Sequence, residues 1–537
     1  MSGSRAVSRF SPHAANADRI RGFPDIQTET LSMFKTMPMT IALACVAIAA
    51  YARDGQAAPD ATWHPPRLQA AHPSPQPSDA VGWPDLVPDP EFGASGSNAY
   101  ALDDANGKEE WAFRVFPRAG GGWWLTGNHW NGSSGTWDAG IVRVDSNGAG
   151  IATYKIATPL ASLNDVAFDA ATNKLYFAGS ATRAGHSDTD MAVTCIDVSA
   201  ATPAKCSGFG TDGTAYVAFD IASGKNDGAW RVLVRPNLGV LLVGWAQNGA
   251  SDNAIAAAAL YRASGALVTR FGNDGKYWLD FADNDSVQAI ALSNDADTEA
   301  RLYIAGSFEV PSDPGRMAGY VLALNAWTGL PDTGFGTAGG RVTLEPRLKP
   351  NGSNDAVSAL AVLASGKLAW SGWSLDSGGS RHLIVGRLHG NGTPDSAIRG
   401  VGWAMLGALP MEGGLKHERP TDLAERPGNR HLVVAFEVAY EGASTLAGEH
   451  RQYAFELDAD ASLYRGSVVA TFPAATGQIP WALPTGLLVT GDAVMMAGTR
   501  RWDAGTGDFD YTLVRLIRGE TIFEDGFEIV PARQIAP

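Results

Sequence analysis

Cysteine is scarce in this sequence, which has three in 537 residues. Cys45 lies in an apolar run near the N-terminus, so only Cys195 and Cys206 remain for the rest of the chain. No other cysteine is available as a thiol nucleophile, and a pair without companion His or Cys residues does not support a zinc site. Two cysteines eleven positions apart can close a hairpin loop. In an oxidising compartment this spacing predicts a disulfide.

Motifs of catalysis and cofactor binding are also missing. The ten histidines include no H-E-x-x-H motif and no i, i+4 pair, so a catalytic zinc is not supported. There is no G-x-S-x-G elbow, P-loop or dinucleotide fingerprint. Positive charge is in deficit, because 41 Lys and Arg stand against 56 Asp and Glu, which gives a net charge of −15. This balance is unfavourable for binding nucleic acid or an anionic membrane, and we expect neither that partner nor a cofactor.

No apolar run reaches the ~20 residues of a membrane-spanning helix. The longest, residues 40–50, has the length of a signal-peptide core, with Lys35 before it and an Ala-x-Ala site ending at Ala52. We predict a signal peptide over residues 33–52, and residues 1–32 are interpreted as an over-called start. The prolines that follow indicate an extended linker over residues 53–91. The protein is therefore expected to be secreted or periplasmic, without a membrane span, and monomeric.

Glycine and proline, by contrast, are abundant, with 62 and 30 residues. Without a Gly-X-Y period, this excess indicates the many tight turns of an all-β protein. Two signals repeat along the chain with a shared period of about 62 residues, and a fixed period is the mark of a repeat architecture. The first is Phe-Gly-x-x-Gly, which begins at Phe92, Phe209, Phe271 and Phe335. The second is an apolar strand ending in glycine, with one Phe in its place, at Gly127, Gly179, Gly244, Gly306, Gly372, Phe436 and Gly498. Seven units are indicated.

Within a unit, apolar residues alternate with period two, as expected for strands and not for helices. Residues 356–363, 368–373 and 382–388 form three such strands, and a fourth follows Phe-Gly-x-x-Gly, as in residues 276–281. A four-stranded sheet cannot bury both faces alone, whereas radial stacking of such sheets can. The sequence therefore predicts an all-β fold, a seven-bladed β-propeller of four-stranded antiparallel blades, over residues 92–520. The last unit has three strands, so the N-terminal strand is expected to pair with the last blade and close the ring.

These units resemble the delta-60 repeat, a family of exported bacterial proteins. The resemblance is carried by stretches such as residues 354–356 (Asn-Asp-Ala), 365–368 (Ser-Gly-Lys-Leu) and 331–336 (Pro-Asp-Thr-Gly-Phe-Gly). It covers residues 92–516 and implies a propeller-like fold with no general activity. The chain end, residues 521–537, contains an Ile-Phe-x-x-Gly-Phe-Glu sequence that resembles an ending on exported proteins of Xanthomonas-like bacteria. That resemblance implies a sorting or processing tag, and a strand fragment capping the last blade is the alternative.

Asn-Asp opens four consecutive units, which places acidic residues near one mouth of the predicted channel: Asp165, Asp227, Asp285 and Asp355. A ring of carboxylates can bind a hard cation such as calcium. The alternative is turn chemistry, in which these side chains accept hydrogen bonds from loop N–H groups, and repetition in successive units favours it. Two further acidic segments, Asp188-x-Asp190 and residues 295–299, are interpreted as solvated loops. No metal site is predicted there.

Aromatic residues cluster in the first unit, where Trp130 and Trp137 accompany Asn128 and His129. In a loop, this combination suits stacking on a sugar ring, whereas packing between blades is the alternative. We predict a secreted binding or scaffolding module for an extracellular or cell-surface ligand, either carbohydrate or protein, recognised by its long loops. The alternative is an extracellular polysaccharide-active hydrolase or lyase that uses carboxylates at the channel. A quinoprotein dehydrogenase is a weaker option, because its repeating Trp pattern is not visible.

Overall fold

The structure is a computed structural model that describes residues 86–518, except 104–108, 222–225, 250–251, 282–284, 337–338, 350–351, 353, 407–414, 442–447, 459–463, 471, 473–478 and 504–507. The signal peptide over residues 33–52, the over-called start and the tail over residues 521–537 lie outside the described residues. So does most of the linker over residues 53–91. Its last part does not behave as a linker, because residues 86–88 form a strand whose Leu86 is buried.

Thirty strands and no helix make up the regular structure of the described residues. Three sheets have four strands each. The first contains β3 (Glu110–Pro117), β4 (Trp123–Asn131), β5 (Thr136–Val144) and β6 (Gly150–Ile156). The second contains β12 (Asp227–Arg235), β13 (Gly239–Gln247), β14 (Asn253–Leu260) and β15 (Lys276–Leu279). The third contains β16 (Ser286–Leu292), β17 (Arg301–Glu309), β18 (Met317–Asn325) and β19 (Arg341–Leu344).

Two sheets have five strands each. One contains β7 (Ser162–Asp169), β8 (Lys174–Thr182), β9 (Thr189–Asp197), β10 (Ala204–Lys205) and β11 (Thr214–Val217). The other joins the two ends of the described chain. It contains β28 (Ala482–Val489), β29 (Ala493–Asp503), β30 (Asp508–Arg518), β1 (Leu86–Pro88) and β2 (Ser97–Tyr100), and both β1 and β2 pair with β30.

The sixth sheet has eight strands: β20 (Asp355–Val362), β21 (Leu368–Leu375), β22 (Arg381–Leu388), β23 (Trp403–Leu406), β24 (Leu415–Glu425), β25 (Leu432–Glu441), β26 (His450–Leu457) and β27 (Tyr464–Ala470). Its two halves are joined by one parallel bridge, between Arg381 and His417. The prediction of seven separate blades is therefore wrong for the hydrogen-bonded sheets, because the described strands form five blade-sized sheets and one of double size. The single bridge merges two units that the repeat period separates.

The sheets stack side by side in chain order. The first strand of each unit contacts the first strand of the next, from β3 through β7, β12, β16, β20 and β24 to β28, and β28 contacts β3. Neighbouring units are connected by side-chain packing and isolated hydrogen bonds, not by strand ladders. Radially stacked antiparallel sheets of this kind define a β-propeller, so the all-β propeller fold predicted from the sequence is confirmed.

The recurring glycine of the second strand is required by a close backbone approach. It lies opposite a β-bulge in the first strand, where the register shifts, for example between Ala112 and Arg114. A Cβ atom on Gly127 would lie 1.9 Å from the carbonyl oxygen of Trp111, far inside van der Waals contact. The glycines at the same place in five further units would meet carbonyl oxygens at 1.8–2.6 Å: Gly179, Gly244, Gly306, Gly372 and Gly498. The repeat signal is thus a packing requirement of the bulge.

The Phe-Gly-x-x-Gly signal makes the turn before a last strand and connects it to the following unit. Its phenylalanines are buried, and the N–H of Gly210 donates to Ser264 O at 2.8 Å in the next unit. The copy at Phe92 does the same, because Gly93 N donates to Asn147 O in the β5–β6 turn at 2.7 Å. Phe92 also belongs to a buried cluster that joins residues of β4, β5, β29 and β30. The N-terminal segment therefore packs against the first unit as the other copies pack against their successors.

The predicted disulfide between Cys195 and Cys206 is confirmed. Cys195 lies in β9, Cys206 follows β10, and their Cα atoms are 5.3 Å apart. Both cysteines are buried in the apolar cluster that joins the β7–β11 sheet to the β12–β15 sheet. The bridge therefore covalently fixes one wall of an interface between sheets. Within the described residues, no helix has the length and apolar character needed to cross a membrane.

Candidate functional site: a charge network at the centre of the propeller

Four charged side chains occupy one register position in the first strands of their units. This position follows the bulge directly. The four residues are Arg114 in β3, Asp165 in β7, Arg231 in β12 and Asp422 in β24. The other three units carry small residues there: Ala289, Ala359 and Gly486. Because the first strands line the centre of a propeller, this position brings charges from distant parts of the chain together.

Arg114 is the centre of this network. Its Nε lies 3.0 Å from Asp165 Oδ1 in the following unit, and its Nη1 lies 2.8 Å from Asp422 Oδ2 in a unit more than 300 residues later. Burial lowers the pKa of the Arg114 guanidinium, but the two carboxylates of Asp165 and Asp422 outweigh it and raise the pKa above its ordinary value. Arg114 is therefore a permanent cation that bridges two anions.

Gly486 makes room for this bridge. A Cβ atom at this position would lie 2.4 Å from Phe113 O and 3.2 Å from Arg114 Cδ. Arg114 reaches Asp422 past the unit to which Gly486 belongs, so any larger residue there would obstruct its path. A glycine without a positive φ thus has a specific function, which is to leave space for the side chain of another unit.

The two carboxylates are fixed in the same way. Asp165 Oδ2 accepts the backbone N–H of Val232 at 3.1 Å, and Asp422 Oδ2 accepts that of Leu487 at 2.8 Å. In both cases the donor belongs to the first strand of the next unit. Each aspartate therefore accepts an ion pair and a backbone hydrogen bond, which holds its orientation. This arrangement presents ionised carboxylates rigidly at the centre.

Arg231 completes the set but has a different environment. Its Nε donates to Gln288 O at 2.7 Å and its Nη1 to Trp230 O at 3.5 Å. The pKa of Arg231 is lowered, mainly by burial. The charge of Asp165 raises this pKa, and the charge of Arg114 lowers it. Among the described residues, Arg231 forms no ion pair with a carboxylate at contact distance. A guanidinium has five N–H donors, so Arg231 retains donors for another acceptor.

A second set of acidic residues opens the first strands, on the side where each unit is entered. The register places Glu110, Asp227, Asp285, Asp355 and Glu418 at equivalent positions. Asp165 does not belong to this set. In its unit the equivalent position is that of Ala161, four residues before Asp165. The predicted ring of Asp165, Asp227, Asp285 and Asp355 therefore consists of two different positions.

Three members of this second set have raised pKa values. Burial raises the pKa of Glu110 to about 9, of Asp227 to about 7 and of Asp285 to about 8. Each also accepts the backbone N–H of the segment that enters its unit, namely Leu102, Phe219 and Phe281. This is the loop N–H bonding predicted as the alternative to a cation site. Within the described chain, the only three acidic, His or Cys side chains close enough to share a metal ion lie elsewhere.

The aromatic cluster of the first unit lies in strands, not in a loop. Asn128, His129 and Trp130 belong to β4 and Trp137 to β5. Asn128, His129 and Trp137 are buried, and Trp130 packs edge-on against Trp137 with ring centroids 5.1 Å apart. Asn128 Nδ2 donates to Leu163 O in the next unit at 3.2 Å. Stacking on a sugar needs an open ring face, and of these side chains only Trp130 is partly exposed.

The central network was not predicted from the sequence. Arg114, Arg231 and Asp422 lie in strands whose alternation was recognised, but their common position depends on the bulge. Each pairs with the residue just before the recurring glycine or its Phe436 substitute. That glycine is visible in the sequence. The network positions can be found by counting back from this glycine through the first hairpin of each unit.

Comparison with known proteins finds only distant structural similarity. No protein-family model matches the chain, and no curated protein matches it; the resemblance to the delta-60 repeat therefore stays a prediction. Among solved structures, hydrazine synthase from Kuenenia stuttgartiensis is 12% identical with a TM-score of 0.42, over 78% of this chain and 97% of that one. The β-propeller domain of the Trilobed protease from Pyrococcus furiosus is 10% identical with a TM-score of 0.37, over 76% and 94%.

The polysaccharide lyase Uly1 is also similar, at 10% identity and a TM-score of 0.39, over 82% of this chain and 98% of that one. Similarity at this level carries no argument about activity or ligands. What defines the class of protein is the strand topology described above. The chain is a β-propeller protein.

Proposed function

We propose that this protein is an exported, seven-bladed propeller that acts as a binding module, with the central charge network as its ligand site. The eight-stranded sheet would supply two blades, and β2 would complete the last blade. Three observations support this count: the cycle of contacts among the seven first strands, the pairing of β2 with β30, and the single bridge between the two halves of the largest sheet. Export is supported by the disulfide, since disulfides persist in oxidising compartments.

The ligand that fits best is one that carries a carboxylate, such as an acidic polysaccharide or an acidic peptide segment. The observation that carries this proposal is the state of Arg231. It is held in place by two carbonyl oxygens and has no contacting carboxylate among the described residues, whereas Arg114 beside it engages two. A carboxylate can accept two parallel hydrogen bonds from a guanidinium. Such bonds are stronger when the arginine is partly buried, because the local dielectric constant is low.

Electrostatics limit how such a ligand is recognised. The chain has a net charge of −15, so its long-range field repels anions. Attraction would arise only at contact distance, inside the channel, where Arg114 and Arg231 lie together. The module would therefore select an anion by geometry, and its affinity would fall less steeply with salt than that of a protein with a basic surface.

A hydrolase or lyase that uses the central carboxylates is the competing hypothesis. Asp165 and Asp422 do lie at the centre of the propeller, but both are engaged by Arg114. A glycosidase general acid must hold its proton near neutral pH. Glu110, Asp227 and Asp285, whose pKa values lie near or above neutrality, open three different strands and bind backbone N–H groups there. The geometry therefore favours binding.

The test is a panel of acidic and neutral polysaccharides and acidic peptides, offered to the purified full-length protein, with both retention and product release measured. We expect retention of at least one acidic ligand, no retention of its neutral counterpart, and no product. Arg231→Gln should weaken retention about tenfold or more, since loss of a charged hydrogen-bonding partner costs about 1.5–3 kcal/mol. Arg235→Gln, in the same strand but bonded to the Ser293 and Asp295 carbonyls, is the matched control and should bind as the native protein.

Two results would contradict the proposal. Equal loss of retention in both arginine variants, or no loss in Arg231→Gln, would show that the ligand does not bind at the channel centre. Product release that disappears in Asp165→Asn or Asp422→Asn would establish the enzyme instead of the module.

A further inference from the structure

A group of three aspartates lies away from the central network, between the sheet of β7–β11 and the entry to β12. Asp188 precedes β9, Asp190 lies in β9, and Asp220 lies between β11 and β12. One carboxylate oxygen from each lies within 4.8 Å of the others. The sequence analysis interpreted Asp188-x-Asp190 as a solvated loop, and for Asp190 this was wrong, because its side chain is only 1% exposed.

Asp190 lacks the hydrogen bonds that a buried carboxylate needs. Neither of its oxygens accepts a hydrogen bond from the described residues. Its contact is an ion pair in which Arg183 Nε lies 3.3 Å from Oδ2, and that arginine is 41% exposed. Among the described residues Oδ1 has no hydrogen-bond partner, although buried polar groups are nearly always satisfied. Burial raises the pKa of Asp190. The charge of Arg183 lowers this pKa, and the charges of Asp188 and Asp220 raise it.

A further buried acidic side chain, Asp227, follows the group in the chain. Asp227 is fully buried, and its carboxyl accepts backbone N–H groups from Phe219 and Asp220. Its Oδ1 has no hydrogen bond within the described residues. The charges of Asp220 and Asp190 act on it and raise its pKa further. Three carboxylates within 4.8 Å of one another, one of them buried with an oxygen that has no hydrogen bond from the described residues, are unfavourable without a cation.

We propose that Asp188, Asp190 and Asp220 bind one calcium ion. Calcium takes six to eight oxygen ligands at 2.3–2.6 Å, so two ligand oxygens on one ion lie at most about 5 Å apart, which matches the spacing here. The donors are all oxygens, and none is the imidazole or thiolate that zinc prefers. Magnesium demands shorter distances and near-octahedral geometry. The ion would connect β9 to the segment that enters β12, across the interface that the disulfide also borders.

Arg183 has a defined place in this proposal. In the structure it supplies the positive charge beside Asp190, and its Nη2 lies 3.5 Å from His186 Nδ1 in the same loop. Calcium would displace it from the carboxylate. Removing this competing cation should therefore strengthen calcium binding, while removing a carboxylate should weaken it.

The experiment is calorimetric titration of CaCl2 and, separately, MgCl2 into the chelator-treated full-length protein, together with thermal unfolding in each salt. We expect one saturable calcium site per chain with an affinity in the range of extracellular modules, roughly 10⁻⁴–10⁻³ M, and a higher melting temperature in calcium. Asp220→Asn should weaken binding about tenfold or more, and Arg183→Gln should strengthen it. Asp274→Asn is the matched control, because Asp274 is also exposed and has a φ of 49° against 46° for Asp220.

The exposed position of Asp220 keeps the test valid even if the buried variant Asp190→Asn does not fold. No saturable heat up to about 10 mM CaCl2, ten times the weak end of that range, would overturn the proposal. So would calcium binding that is unchanged in both Asp188→Asn and Asp220→Asn. Magnesium binding as tight as calcium binding would overturn the assignment to calcium.

Discussion

At the scale of single residues, the notable feature is how many acidic side chains are buried and what each accepts. Asp165 and Asp422 are ion-pair partners of Arg114, whereas Glu110, Asp227 and Asp285 accept backbone N–H groups with little compensating positive charge. Burial without a cation favours the protonated form of a carboxyl. The second group therefore stabilises the fold in its neutral state.

This difference predicts how stability depends on pH. Glu110, Asp227 and Asp285 have folded-state pKa values of about 9, 7 and 8, whereas unfolded carboxyls titrate near 4. Between those values the folded protein holds protons that the unfolded chain has released, so the free energy of unfolding falls as pH rises from about 4 to 9. Denaturant unfolding at pH 5 and pH 8 should show higher stability at pH 5.

Asp285→Asn isolates one of these contributions. The amide oxygen can still accept the N–H of Phe281, but the side chain no longer titrates. The loss of stability between pH 5 and pH 8 should be smaller in this variant by at least about 1 kcal/mol, the equivalent of roughly one pKa unit. Asp274→Asn, at an exposed turn, should keep the native slope. Parallel pH profiles for Asp285→Asn and the native protein would show that Asp285 is ionised in the fold.

Gly486 gives a second prediction at this scale. In Gly486→Ala the new methyl group would meet Phe113 O and the side chain of Arg114, so the Arg114–Asp422 ion pair must shift. Overpacking of this kind costs about 1–3 kcal/mol, measured by denaturant unfolding. Gly491→Ala is the control, because a Cβ there has nothing within 4 Å, and it should be nearly neutral. Equal stability of both variants would mean that Arg114 does not pass over Gly486.

At the scale of strands and turns, alternating apolar residues and the two glycine signals were enough to predict the units from the sequence. They reflect local requirements, namely the bulge opposite Gly127 and the turn after Phe92. The register was beyond reach, because it depends on which backbone groups pair across strands. For this reason Asp165 was grouped with Asp227, although their positions relative to the bulge differ by four residues. Polar Asn128 and His129 were likewise assigned to a loop, although their strand continues through them.

The disulfide gives a prediction at the scale of these elements. Its sequence separation is 11, and a loop of this size contributes roughly 2–3 kcal/mol in the chain-entropy model. Reduction should lower the thermal midpoint of the native protein and leave that of the Cys195→Ser/Cys206→Ser variant unchanged. An equal response of both proteins to the reductant would show that the bridge does not stabilise the fold.

At the scale of the whole molecule, the proposed ligand site depends on the proposed closure of the seven units into a ring. Arg114, Asp165 and Asp422 meet only because the first, second and sixth units face a common centre, and Arg231 joins them from the third. The segment from Phe92 to Tyr100 holds the first and last units together through β30 and through Asn147. If the ring opened between β28 and β3, the central network would lose its geometry.

Cross-linking β2 to β30 tests this closure most directly. Ser97 pairs with Val514. The adjacent pair, Gly96 and Arg515, is joined by a hydrogen bond from Arg515 N to Gly96 O. Because hydrogen-bonded and non-hydrogen-bonded pairs alternate along an antiparallel ladder, Ser97 and Val514 form a non-hydrogen-bonded pair with Cα atoms about 4.5 Å apart. That distance lies within the range of a disulfide. The variant Ser97→Cys/Val514→Cys should oxidise to an intramolecular cross-link, seen as a mobility shift on a non-reducing gel, and its unfolding midpoint should rise. Ser97→Cys/Ser133→Cys, whose second cysteine lies in the distant β4–β5 turn, should form no such link. A Ser97→Cys/Val514→Cys protein that stays reduced, or cross-links only between molecules, would contradict the closed propeller.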